Sequence, residues 1–281
     1  MLNETEIKYI NENYNKIGAT DCSRNLKRSR SAIVKNAKLL GLSLSHTDRS
    51  NIMRRKLDKP NNKRNVNPEQ FINCKTKEIA YLLGFIWADG HISFKNTGCR
   101  ITSNFVADDG TDLIPIFKKV GKWGIYTNKP KTKRQGRKQN IVQTNNRPLA
   151  EFLKSKGYIT KSQGNACDIL SVIPKKLHRY WWLGCFDGDG SFYVGKKYGQ
   201  ITLYSSYEQD WKHFDELSKN INVDYKLNKR ITTRGNSSEI RVFNRKSILN
   251  LYKFLHPKKY ELGLKRKFKK ANILFKMYNK K

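Results

Sequence analysis

Asp89 and Asp189 stand 100 positions apart in matching surroundings. Each closes an apolar run and precedes a glycine: "LLGFIWADGHISF" runs from Leu82 to Phe94 and "LGCFDGDGSF" from Leu183 to Phe192. Two carboxylates brought together repel each other and raise a pKa unless a cation lies between them. Hard oxygen ligands with open positions suit Mg2+, which keeps waters and binds phosphate; Mn2+ or Ca2+ fits the same donors. A metal pair sharing carboxylates and a scissile phosphate is a recurring device of phosphodiester hydrolysis. For one motif alone, a tight Asp-Gly turn before a strand is the simpler account. Two such motifs, each ending an apolar helix in a strongly basic chain, favour the metal site.

The glycines say how the carboxylates are brought together. Gly84 and Ala88 are four apart, as are Gly184 and Gly188, so each pair shares a helix face. Small residues there let two backbones approach almost to contact. If the two apolar helices pack through these faces, Asp89 and Asp189 meet at the end of the pair. Asp187 lies two residues before Asp189, where the first motif carries Trp87.

From Thr76 onward the chain can be laid over itself at an offset of roughly 100 residues, far longer than a solenoid unit. Each copy has an apolar helix, a strand pair, a helix, a second strand pair and a closing helix. In the first copy the strand pairs are "HISFKNTGCRITSNFV", then "KWGIYT" with "NIVQTN". In the second they are "SFYVGKKYGQITLYSS", then "VDYKLNKRIT" with "SSEIRVFN". The fold class is α+β, with two copies related by pseudo-symmetry.

With 57 Lys and Arg against 23 Asp and Glu, the 281-residue chain has a formal charge of +34, the signature of a polyanion partner. Nucleic acid is the first candidate and an anionic membrane surface the second. The apolar run "IAYLLGFIWA" is too short to span a bilayer. The opening "MLNETEIKYINENYNK" does not read as a signal peptide. Five scattered cysteines, with no C-x-x-C spacing, argue against a disulfide framework or a cysteine zinc site and point to a reducing cytoplasm.

Residues 1–45 read as three short helices. Ile7, Ile10 and Tyr14 share a face of the first, and the second covers about Ala19 to Leu26. Ser29 caps the third, whose apolar stripe is Ile33, Ala37 and Leu40, with Gly41 at its end. Arg30, Ser31, Lys35 and Lys38 lie on its other face. Spacing alone fits a plain three-helix bundle and a helix-turn-helix equally, and the net charge tips the balance to DNA binding. Residues 46–74 are basic, Asn-rich and aperiodic, and read as a linker or phosphate-contacting arm.

Strand alternation predicts a nucleic-acid face. In "CRITSNFV", Arg100, Thr102 and Asn104 alternate with Ile101, Ser103 and Phe105. Ser93 and Lys95 extend this set. In the second copy the matching residues are Tyr193, Lys197, Gln200, Thr202, Tyr204, Lys226, Asn228, Arg230 and Arg241. Singly each is an ordinary solvated strand residue; as a set they fit base and phosphate contacts.

The stretches "LLGFIWADG" (Leu82 to Gly90) and "WLGCFDGDG" (Trp182 to Gly190) resemble the nine-residue motif of the LAGLIDADG homing endonucleases, and the resemblance covers residues 75–281. It implies repeats at 75–170 and 171–281, each αββαββα, forming a pseudo-symmetric saddle on the DNA major groove as a monomer. It implies that Asp89 and Asp189 bind catalytic metal, with backbone carbonyls offered by Ala88 and Gly188. It implies a lysine near the cleft in each repeat, matched by Lys161 in "GYITKSQG" and Lys267 in "LGLKRKF", with Lys265, Arg266 and Lys269 as competing cations. The departure at Trp87 is expected to weaken a helix-end cap in the first repeat. The implied activity is Mg2+-dependent cleavage of both strands of a long duplex site across the minor groove, leaving short 3′ overhangs. The alternatives are a catalytically silent DNA-binding regulator and an RNA-binding splicing cofactor. Beginning with Met and lacking a terminal His-Asn, the chain reads as a free-standing or intron-borne product of a bacterial, phage or organellar compartment rather than an intein.

Overall fold

The computed structural model describes residues 2–57, 66–95, 98–128, 137–196, 198–233, 235–257 and 259–279. Contacts divide the chain into two compact units, Met1–Lys63 and Arg64–Lys281.

The first unit is helical. Helix α1 spans Glu4–Asn25, broken at Gly18, whose φ of 78° takes it out of the helical region. A glycine suits that conformation, and the break separates the two helices expected here. Helix α2 is Arg30–Leu39, and the Ser29 side chain accepts from Ala32 N–H. Ile10, Tyr14, Cys22, Ile33 and Ala37 form a small core. Leu40, expected in the apolar stripe, is instead 38 % exposed, because the helix ends before it and turns it outward. Arg30, Ser31, Lys35 and Lys38 are exposed.

The expected linker is partly helical. Helix α3 spans His46–Leu57. Ser45 and Asp48 cap one another at its start, the Ser45 N–H donating to Asp48 and the Asp48 N–H to Ser45 Oγ. Ile52 is buried beside Gly18. In the second unit, α4 (Pro68–Asn73) has Asn67 as its cap and Phe71 fully buried, edge-on to Trp123. One buried side chain in α4 is too few to leave a period in the sequence.

The second unit repeats one pattern twice. The first half runs α5 (Lys77–Asp89), β1 (Gly90–Lys95), β2 (Gly98–Val106), α6 (Gly110–Val120), β3 (Gly124–Asn128), β4 (Gln139–Thr144) and α7 (Arg147–Ser155). A connecting helix, α8, follows at Cys167–Val172. The second half runs α9 (His178–Asp189), β5 (Gly190–Val194), β6 (Gly199–Ser205), α10 (Lys212–Ile221), β7 (Lys226–Thr232), β8 (Gly235–Val242) and α11 (Arg245–Leu255), and α12 (Lys265–Asn279) ends the chain. The two antiparallel sheets have the orders β1-β2-β4-β3 and β5-β6-β8-β7. The register repeats as well: Gly90 lies opposite Ser103, and Gly190 opposite Leu203.

One apolar core runs through both halves, with α5 and α9 at its centre. Ten of the thirteen α5 residues are buried. This is why the motif helices read as nearly continuous apolar runs: each is covered by its own sheet on one side and by its twin on the other. Among the described residues no helix is long and apolar enough to cross a membrane.

Candidate catalytic centre and nucleic-acid face

The α5–α9 interface sets the site. A methyl group placed on Gly84 would lie 1.8 Å from the Trp181 carbonyl oxygen, and one on Gly184 would lie 2.0 Å from that of Tyr81. Only hydrogen fits at either crossing point. One turn on, a methyl on Gly188 would sit 2.4 Å from Ala88 Cβ and 3.3 Å from Asp89 Oδ2. The helices therefore touch through the small-residue faces expected from spacing, and their last residues are Asp89 and Asp189.

Asp89 and Asp189 line one cavity of about 380 Å³, together with Ala88, Gly90, Lys161 and a wall at Tyr204–Tyr207. Burial, then the charge of Asp89, push the Asp189 carboxyl up to about 7 against the pull of Lys161 and Lys267. Asp89 keeps an open face to the cavity. It is still raised, because the surrounding walls keep bulk water away, and Lys267 and Lys161 draw it back.

The two lysines occupy equivalent places. Lys161 Nζ donates to the carbonyl oxygens of Trp87 at 2.6 Å, Ala88 at 3.4 Å and Gly90 at 3.2 Å. Lys267 Nζ donates to those of Phe186 at 2.9 Å, Asp187 at 2.6 Å, Gly188 at 3.1 Å and Gly190 at 2.7 Å. Each ammonium thus caps the C-terminal, electronegative end of one motif helix beside a carboxylate. Burial lowers both lysine pKa values, and the nearby carboxylates oppose that shift. The competing cations are engaged elsewhere or exposed: Arg266 grips Asp109 with two bonds of 2.6 and 2.7 Å, Lys265 pairs with Asp112, and Lys269 is exposed.

Contacts between the halves hold these lysines in place. Arg266 precedes Lys267, and its partner Asp109 belongs to the first half. Asn165, four residues beyond Lys161, donates to Asp210 of the second half at 2.6 Å. Asp187 is not a helix-end cap. Its Oδ2 accepts from Tyr81 Oη at 2.8 Å and from Leu264 N–H at 2.7 Å, fastening the segment that delivers Lys267. Burial raises this carboxyl to about 6. At the matching place Trp87 packs edge-on to Tyr158 at 5.1 Å, and Tyr158 Oη donates to the Leu83 carbonyl at 2.9 Å. Apolar packing replaces the buried carboxylate there, so Trp87 exchanges one brace for another.

The expected nucleic-acid residues lie on the outward faces of the two sheets. Lys95, Arg100, Asn104, Tyr193, Tyr204, Lys226 and Arg230 are exposed, while Ser93, Thr102, Gln200, Asn228 and Arg241 are half-buried. Thr202 shares the parity but is 8 % exposed, set between Ser191 and the longer Arg241 in the register. Lys197 lies outside the described residues. The register adds His91, Tyr126, Asn128, Gln139 and Gln143 to the first face, and Ser191, Ser237 and Glu239 to the second. Strand parity alone points to His91 and Ser191; the others need the partner strand's register.

Residues 176–255 match the model of a LAGLIDADG-like domain. No curated protein matches the chain. The homing endonuclease I-WcaI bound to its DNA recognition sequence is similar in structure, with a TM-score of 0.51 at 13 % identity, covering 76 % of this chain and 94 % of that one. Meganuclease I-SmaMI bound to uncleaveable DNA gives 0.48 at 15 % identity over 72 % and 91 % of the two chains. I-DmoI in complex with DNA and Mn gives 0.45 at 15 % identity over 66 % and 98 %. At such identities the likeness is one of fold.

Proposed function

We propose that the chain is a site-specific DNA endonuclease that hydrolyses one phosphodiester on each strand of a long duplex target. The observation that carries this is the meeting of Asp89 and Asp189 at the end of a glycine-packed helix pair, flanked by the half-buried Lys161 and the buried Lys267. The shared motif-bearing segment and fold support it, and I-WcaI, which has that fold, was solved on its DNA recognition sequence.

The donor set fits a hard divalent cation such as Mg2+. The two carboxylates and the Ala88 and Gly188 carbonyls are all oxygen. Burial first and the charge of Asp89 second hold the Asp189 carboxyl up at about 7, and a bound cation would offset both. Once bound, such an ion lowers the pKa of a coordinated water and polarises the phosphate.

The protein supplies the rest. Lys161 and Lys267 offset negative charge developing on the phosphate from fixed positions. The glycine interface holds the two carboxylates in one geometry without reorganisation. Two halves in one chain give two centres, so a monomer suffices to cut both strands. Cuts fall across the minor groove and leave short 3′ overhangs, and the basic residues of α2 extend the bound site as a helix-turn-helix.

The test is a host-genomic or randomised duplex library incubated with Mg2+, with the new ends sequenced. Asp89→Asn or Asp189→Asn abolishes double-strand cleavage and leaves duplex binding largely intact. Undiminished cutting by either variant removes that carboxylate from the metal site. Retention of structured RNA over duplex, without cutting, favours a splicing cofactor.

A further inference from the structure

On the outward face of the second sheet, Arg241 Nε donates to Glu239 Oε2 at 2.8 Å, and Nη2 lies 2.8 Å from the same oxygen. Among the described residues of both sheets, Glu239 is the one carboxylate that the strand register turns outward. A carboxylate on such a face opposes phosphate and weakens non-specific binding. What it can do there is accept, and the donors on base edges in the major groove are the amino groups of cytosine and adenine.

The ion pair leaves both partners capacity. The guanidinium spends its Nε–Nη2 edge on Glu239, so its Nη1–Nη2 fork remains, and Glu239 Oε1 remains as an acceptor. An arginine fork finds two acceptors side by side on guanine, at O6 and N7, whereas adenine offers one acceptor and a donor. A carboxylate beside that fork then meets the N4 amino group of the paired cytosine. We infer that Arg241 and Glu239 together read one G·C pair, Arg241 on guanine and Glu239 on cytosine. This rests on the endonuclease function proposed above and names one element of its substrate.

The register also places that pair along the target. Arg241 lies opposite Thr202, and Thr202 opposite Ser191, two residues past Asp189. Two inter-strand steps are roughly 10 Å, so the base pair lies within a few steps of the cut. The matching positions on the first sheet are Gln143, opposite Thr102, and Ile141, opposite Asn104. The other half of the target therefore carries no equivalent constraint.

The experiment selects a randomised duplex library with the whole protein and with Glu239→Gln and Arg241→Lys, and follows the melting of all three. Glu239→Gln keeps an oxygen for Arg241, so it folds like the parent. The parent consensus contains a G·C pair whose preference falls about ten-fold in each variant, while the symmetry-related position is unchanged. Replacing that cytosine by 2-pyrimidinone, which lacks the 4-amino group, weakens binding by the parent but not by Glu239→Gln. A consensus unchanged by Glu239→Gln, an A·T pair at the responding position, or a parent indifferent to 2-pyrimidinone overturns the inference alone. A parent that selects no duplex sequence overturns the endonuclease function, and this inference with it.

Discussion

Tyr81 Oη donates to Asp187 Oδ2 across the two motif helices at 2.8 Å, and the opposite half has Trp181 and Trp87 in the corresponding places. One end of the pseudo-symmetric core is thus held by a buried hydrogen-bonded carboxylate and the other by packed rings. Tyr81→Phe removes the hydroxyl donor and leaves Asp187 with the Leu264 N–H. A hydrogen bond to a charged group is worth roughly 1.5–3 kcal/mol, so the melting temperature falls by several degrees. Trp181→Phe has no such bond to remove. Calorimetry checks this: equal melting of Tyr81→Phe and the parent shows that the bond contributes nothing.

Gly184→Leu damages the whole second unit. Its first side-chain carbon already meets the Tyr81 carbonyl oxygen at 2.0 Å, and the rest of the leucine has nowhere to go. Overpacking costs roughly 1–3 kcal/mol in a core that can give; against a backbone atom the cost is at the upper end or beyond. The carboxylates also separate, so cleavage falls further than stability. Cys185→Ser, at a buried neighbour that adds no bulk, is the milder control. Parent-like melting and cutting by Gly184→Leu excludes the glycine contact.

Much of this centre is legible in the sequence because it depends on local spacing. The four-residue separation of Gly84 from Ala88, and of Gly184 from Gly188, states a helix contact, and the alternation in "CRITSNFV" states a two-faced strand. The braces are not legible, because they join residues far apart in the chain: Tyr81 and Asp187 are 106 positions apart, and Asp187 and Leu264 are 77. Nothing in "LGLKRKF" tells Lys267 from its neighbours until folding buries it and leads Arg266 to Asp109. Helix α4 escapes a reading by periodicity because Phe71 is its one buried side chain, and one apolar residue makes no period.

Lys267→Met uncaps α9. Its loss removes a donor from four carbonyl oxygens, three of them in buried bonds, although Phe186 keeps the Gly190 N–H; Lys161→Met frees the half-buried carbonyls of Trp87, Ala88 and Gly90. Each buried group left without a partner costs roughly 1–3 kcal/mol, so Lys267→Met melts lower than Lys161→Met. Where both remain folded, both lose cleavage of their preferred duplex. Full activity of either variant, measured below its melting temperature, removes that lysine from the chemistry.

Deleting residues 1–63 removes 14 Lys and Arg against 6 Asp and Glu and keeps α4, whose Phe71 belongs to the core of the second unit. The shortened protein still cuts with Mg2+, protects a shorter stretch of duplex and binds with a shallower salt dependence, because fewer phosphate contacts release fewer counterions. Footprinting and a salt titration decide it. An identical footprint and slope show that the first unit does not touch DNA.

His213 makes the fold acid-sensitive. Its ring is 1 % exposed and stacked between Trp182 and Trp211 at 5.4 and 5.7 Å, and among the described residues no group meets either nitrogen with full hydrogen-bond geometry. Burial lowers its pKa from 6.5 to about 3, with Asp210 opposing. The folded chain therefore keeps the ring neutral while the unfolded chain binds a proton below 6.5. Stability is full above pH 6.5 and is lost as the pH falls from there toward 3. At pH 5 the loss from this group is roughly 2 kcal/mol, being about 1.5 pH units at 1.36 kcal/mol each. His213→Phe removes the titrating ring and keeps an aromatic one between the tryptophans. Its melting temperature falls less than that of the parent between pH 7 and pH 5. Comparing each protein with itself across pH cancels the constant effect of the changed side chain, so parallel acid profiles would mean that His213 takes up a proton in the folded state.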